Sequence, residues 1–143
     1  MIMFRSALLL TAFATCLMPA AAGAEIITYH ATLSSAAEVP PNKTAGTGTA
    51  TATIDTDLKM LSYTVEYTGL SGPATAGHFH GPAAVGKNAA VLIPIMAPLD
   101  SPIKGMAKIS DDQIADFAAG NVYVNIHTKE NPNGEIRGQM SKQ

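Results

Sequence analysis

The chain reads as an all-β domain, a Greek-key β-sandwich or flattened barrel with one short helix, and three observations predict it. Apolar and polar residues alternate with period two through most of the sequence. Turn-forming clusters of Asp, Asn, Pro and Gly separate these runs. A helical pattern occurs once, between residues 110 and 120.

Residues 1–24 come first and stand apart. A short start with Arg5 leads into an apolar run from Ala7 to Leu17, then Pro19 and the small-residue tract "AAAGA". That order is that of a secretory signal peptide, with Ala22-Gly23-Ala24 as the cleavage tract and Glu25 as the new N-terminus. The run is too short to span the ~30 Å of a bilayer core as a helix. Lipid attachment at Cys16 is the competing reading, and Thr15 before it disfavours that. The sequence therefore predicts export, to the periplasm or beyond, of a single domain over residues 25–143.

In "IITYHATL", Ile27, Tyr29, Ala31 and Leu33 share one face while Thr28, His30 and Thr32 share the other. In "GTGTATATI", Thr47, Thr49, Thr51 and Thr53 alternate with Gly48, Ala50, Ala52 and Ile54. "LSYTVEY" opposes Leu61, Tyr63, Val65 and Tyr67 to Ser62, Thr64 and Glu66, and the "DTDLK" before it makes the pair an antiparallel hairpin. The small residues of the second strand leave room for another layer. Ser110 and Gln113 form a capping box, with Asp111 and Asp112 at the positive end of the helix dipole. Ile114 and Phe117 or Ala118 supply the apolar stripe, and Gly120 the stop. Finally Val122, Val124 and Ile126 point one way and Tyr123, Asn125 and His127 the other, before "NPNG" turns the chain into "EIRGQM".

Composition narrows the partners. The leader holds the single cysteine, so the exported domain has no disulfide and rests on its core, its backbone pairing or a bound metal. Nine basic residues, one of them Arg5, face eleven acidic ones without any basic cluster. Neither nucleic acid nor, after leader cleavage, a membrane is an expected partner. No nucleophile elbow or phosphate-cradling loop is present, and Asp55, Asp57 and Asp100 sit in turn contexts. Met60, Met96, Met106 and Met140 are spread singly and read as core filler.

Chemistry is left to the four histidines. His78 and His80, in "GHFHGP", lie two apart, so an extended backbone projects both imidazoles from one face, with Phe79 opposite. Their alpha carbons stand roughly 6.5–7 Å apart, which lets both rings converge on one ion. His127 sits on the polar face of its own strand beside Asn125. If those strands are neighbours, three neutral imidazoles meet, a set that suits copper, with zinc as the alternative. His30, flanked by threonines, reads as a solvated strand residue. Asn125 and Tyr123 are placed to orient an imidazole. Arg137 is expected to pair bidentately with Glu38 or Glu135, tying an early loop to the last hairpin, rather than to hold an anion at the metal.

"AEVPPNKTAGTGTATATID", "LSYTVEYTGLSGPATAGHFHGPA" and "VYVNIHTKENPNGEIRGQM" together resemble the CHRD domain, from about Tyr29 to Met140. The resemblance implies a β-sandwich-like extracellular domain and names no reaction. "GLSGPATAGHFH" is similar in kind to a stretch of copper/zinc superoxide dismutase. The bridging histidine, further zinc ligands and disulfide of that enzyme have no counterparts among four histidines. The functional expectation is an extracytoplasmic metal-binding module for copper or zinc homeostasis. An adhesion domain that binds another extracytoplasmic protein, and a copper-only dismutase-like enzyme, are the alternatives.

Overall fold

The computed structural model describes residue 23 and residues 25 to 143. The expected leader, with Arg5, Cys16 and the cleavage tract apart from Gly23, lies outside the described residues. The first three strands, β1 (Ile26–Ser34), β2 (Thr47–Asp55) and β3 (Met60–Thr68), form an antiparallel meander in full register. Asp55 turns the β2–β3 corner by accepting hydrogen bonds from the Asp57 and Leu58 backbone N–H groups at 3.0 and 2.9 Å. Leu61, Tyr63 and Val65 of β3 face inward against Ala50, Ala52 and Ile54 of β2, as period two requires.

The remaining elements are β4 (Ala74–His80), β5 (Val91–Pro94), β6 (Ile103–Lys108), the helix α1 (Asp111–Ala118), β7 (Tyr123–Thr128), β8 (Ile136–Gln139) and the two-residue β9 (Ser141–Lys142). Their order in the sheet is β5-β4-β7-β8-β1-β2-β3-β6, with β9 beside β1. Every pairing is antiparallel. Strand β8 lies beside β1, so the end of the chain returns to the first strand of the meander. The sheet curls into a nearly closed barrel. Aromatic rings chart the interior: Tyr63 lies 5.4 Å from Phe79, Phe79 6.0 Å from Phe117, and Phe117 5.3 Å from Tyr29. That chain joins β3, β4, α1 and β1 across the core.

The helix forms where its signals lie. Ser110 Oγ accepts from the Gln113 backbone N–H, while Gln113 Oε1 accepts from the Ser110 N–H. Phe117 carries the burial and Ala118 faces out. Gly120, at φ +70°, ends it. No helix among the described residues is long and apolar enough to cross a membrane.

One expectation needs revision. Of Met60, Met96, Met106 and Met140, only Met140 is a core residue; Met96 and Met106 are 69% and 66% exposed and Met60 is half-buried. Met60 and Met106 alternate with inward Leu61 and Ala107, so strand parity turns them outward. Strand β7 has no solvated face: all six of its residues are buried. Val124 and Ile126 enter the barrel core, while Tyr123, Asn125 and His127 enter a second, polar interior roofed by loop segments around Glu38, Ala89 and Pro132.

Candidate metal centre

Strand pairing creates the site. β4 and β7 are hydrogen-bonded neighbours, with His78 opposite Asn125, His80 opposite Tyr123 and Ala76 opposite His127. Side chains at these positions share the polar face, and Phe79 between the two β4 histidines is fully buried on the other. Ring centroids of His78 lie 5.4 Å from His80 and 4.9 Å from His127. The three imidazoles offer one nitrogen each within 4.8 Å of one another. His30, on β1, lies outside this group with its Nδ1 3.5 Å from Thr51 Oγ1.

Two of the rings meet backbone carbonyls at their backs. His127 Nδ1 lies 3.0 Å from Pro132 O, which can only accept, so Nδ1 donates and Nε2 keeps its lone pair. His80 Nδ1 lies 3.0 Å from Ala89 O and its Nε2 3.1 Å from Asn125 Oδ1, two acceptors of which a neutral ring can serve only one. The Pro132 contact is of the kind that fixes a ligating histidine's tautomer. His127 Nε2 lies 3.0 Å from His78 Nδ1. The coordinating set would be His78 Nδ1, His80 Nε2 and His127 Nε2. Burial lowers the pKa of His78, aided by the neighbouring charges of His127 and His80. Burial also lowers that of His127, against a partial rise from the Pro132 carbonyl. Both are therefore neutral near pH 7, the form that binds a cation. An ion with metal–nitrogen bonds of about 2 Å holds its ligand nitrogens roughly 3–4 Å apart. The donor set fits such an ion with His80 moving inward.

A polar wall stands behind the histidines. The Tyr123 ring stacks on His80, parallel within 4° at 4.8 Å, and the Arg137 guanidinium lies over Tyr123 at 3.4 Å from the ring centroid. The ring is thus sandwiched between them. Glu38, 5% exposed, lines a cavity of about 340 Å³ shared with His80, Tyr123, Asn125 and Asn88. Burial pushes its pKa up to about 7, against the pull of Arg137, the Asn125 amide and the Val39 N–H. Its Oε1 has no hydrogen-bond partner.

The expected bidentate pair does not form. Arg137 donates to Asn88 Oδ1 at 2.9 Å and to Lys87 O, and acts on Glu38 through its charge rather than by contact. Glu135 accepts instead from the Ser71 N–H and hydroxyl at 2.7 and 2.6 Å, from Thr128 Oγ1 at 2.6 Å and from Asn131 Nδ2 at 3.2 Å. Burial raises its pKa, but these donors outweigh burial and hold it below the usual carboxylate value. Four neutral donors satisfy the carboxylate, so no cation is required there. The tie between the early loop and the last hairpin is made by Asn42, whose Nδ2 donates to Glu135 O at 2.9 Å. Ser71, Asn88, Asn131 and the Ala89 carbonyl escaped sequence reasoning, because their partners are 4 to 64 residues away and no local pattern marks them.

A family model, the CHRD domain, matches residues 29–140. No curated protein and no solved structure matches the chain. The chain belongs to the CHRD domain family.

Proposed function

We propose that this CHRD-domain protein is an extracytoplasmic metal-binding module that holds copper, with zinc as the alternative, through His78, His80 and His127. One observation carries the reading: three imidazoles from two paired strands converge, and two of them meet backbone carbonyls through Nδ1. The leader-like residues 1–24 supply the expected setting, the periplasm or the exterior, where the ion would be buffered or delivered. Arg137 is buried and bound to Asn88 and Lys87 O, which counts against an anion-steering role in a dismutase. Titrating Cu(II) and Zn(II) into tag-free protein, with alanine at each histidine in turn, tests the proposal. Binding is expected to fail for His78→Ala and His127→Ala, to weaken for His80→Ala and to persist for His30→Ala. Equal, weak binding by all variants would overturn it.

A second reading has its own observation. Ile26, Leu58 and Met106 are 59%, 67% and 66% exposed around a surface hollow of about 240 Å³ on the outer side of β1, β2, β3 and β6. Such a patch suits contact with another extracytoplasmic protein, the histidines then being structural.

A further inference from the structure

We propose that Asn125 is a latch on the metal centre, holding His80 away from the ion so that His78 and His127 form the standing pair and His80 joins as a conditional third ligand. The inference rests on the metal reading above and concerns how that site is regulated. Its starting point is which nitrogen Asn125 touches. A side chain that supports a metal-bound imidazole contacts the nitrogen turned away from the ion. For His80 that position is already filled, since Nδ1 meets Ala89 O at 3.0 Å. Asn125 meets the other nitrogen: Asn125 Oδ1 can only accept, so His80 Nε2–H donates to it at 3.1 Å, and Nε2 can ligate only once that proton has moved to Nδ1, where Ala89 O accepts it. That is the atom His80 must offer the metal. Asn125 therefore competes with the ion rather than orienting its ligand.

Distances agree. His78 Nδ1 and His127 Nε2 are already 3.0 Å apart, so the larger separations within the 4.8 Å group involve His80. His80 also gains from standing off, because its ring stacks on Tyr123. Asn125 is 3% exposed and cannot turn to water when released. Gly134 leaves it no spare room, since a β-carbon there would sit 2.8 Å from Asn125 Nδ2. Recruiting His80 thus costs a buried hydrogen bond, and that cost sets a threshold between a two-imidazole and a three-imidazole site.

Removing the latch should tighten the site. With tag-free protein and Cu(II) as probe, Asn125→Ala is expected to bind roughly ten-fold more tightly than wild type, the equivalent of one buried hydrogen bond no longer broken. The gain should vanish in the Asn125→Ala/His80→Ala double variant. Nitrogen hyperfine structure in the Cu(II) spectrum should show His80 coordinated at lower metal loading than in wild type. Asn125→Ser, which keeps a polar group but shortens the reach, provides the same comparison if the alanine variant does not fold. Unchanged or weaker binding by the folded Asn125 variant, with His78→Ala and His127→Ala still abolishing binding, would overturn the latch alone. Binding indifferent to His78→Ala and His127→Ala would overturn the metal reading itself.

Discussion

Arg137 lies over the Tyr123 ring at 3.4 Å from its centroid, yet no carboxylate pairs with it. Among the described residues the two ion pairs are Lys59–Asp111 and Lys142–Glu25, both exposed. A buried guanidinium is instead satisfied by a ring face, an amide and a backbone carbonyl. Replacing it with alanine removes the cation–π contact and leaves Asn88 Oδ1 and Lys87 O without their donor. Arg137→Ala is expected to destabilise the fold by about 2–4 kcal/mol. Arg137→Lys should recover only part of that, because one ammonium cannot reproduce the fork. Urea denaturation of the three proteins measures both.

Glu38 gives the domain a pH dependence of unusual sign. Its pKa rises from 4.5 to about 7 because burial disfavours the charged form. Between those values the folded protein keeps a proton that the unfolded chain has released. The stabilising contribution is complete below pH 4.5 and is lost as pH rises through 7, a change of roughly 3 kcal/mol. Glu38→Gln should match wild type near pH 5 and exceed it near pH 8. Denaturation at the two pH values checks this, and a constant difference between the proteins would refute it.

His78 and His127 act in the opposite direction. Their lowered pKa values mean that the folded domain binds fewer protons than the unfolded chain once pH falls below the ordinary imidazole value of 6.5. Stability of the metal-free protein should decline as pH drops from 6.5, and His127→Gln should flatten that decline. Thermal unfolding between pH 5 and 7, compared in the Glu38→Gln background, separates the two contributions.

Gly134 sits at φ +127°, where a side chain is strained, and a β-carbon there would collide with Glu38 Oε1. Gly134→Ala is expected to cost at least about 2 kcal/mol and to disturb Asn125. A melting temperature within a degree of wild type would contradict that packing.

Much of this was legible from the sequence, and the reasons are local. Period two placed His78 and His80 on one face and Phe79 on the other, because alternation is a property of a single strand. The capping box at Ser110 and Gln113 was equally visible, since both partners lie within one turn. What period two could not supply was strand order: that β4 lies beside β7 depends on how the whole sheet closes. Arg137 was misassigned because opposite charge suggests a partner, while the partners it has, Asn88 and Lys87 O, come from a loop about 50 residues upstream. Met60 and Met106 were misjudged for another reason. Their outward parity beside Leu61 and Ala107 shows in the strand pattern, whereas apolar character alone points them inward.

Strand β7 carries core and site residues in strict alternation, Val124 and Ile126 facing one interior and Asn125 and His127 the other. The amides of Asn125 and His127 therefore cannot be exposed by any local opening that spares the barrel. Their hydrogen–deuterium exchange should proceed only through global unfolding, whereas the amides of Lys87–Ala89 and of residues 131–134 should exchange by smaller openings. The contrast has a kinetic meaning for the centre. On that expectation His78 and His127 stand on the slowest-breathing part of the molecule, while the carbonyls at the ring backs, Ala89 O and Pro132 O, belong to faster segments. Exchange of a bound ion would then be timed by loop motion, with the strands serving as a fixed frame.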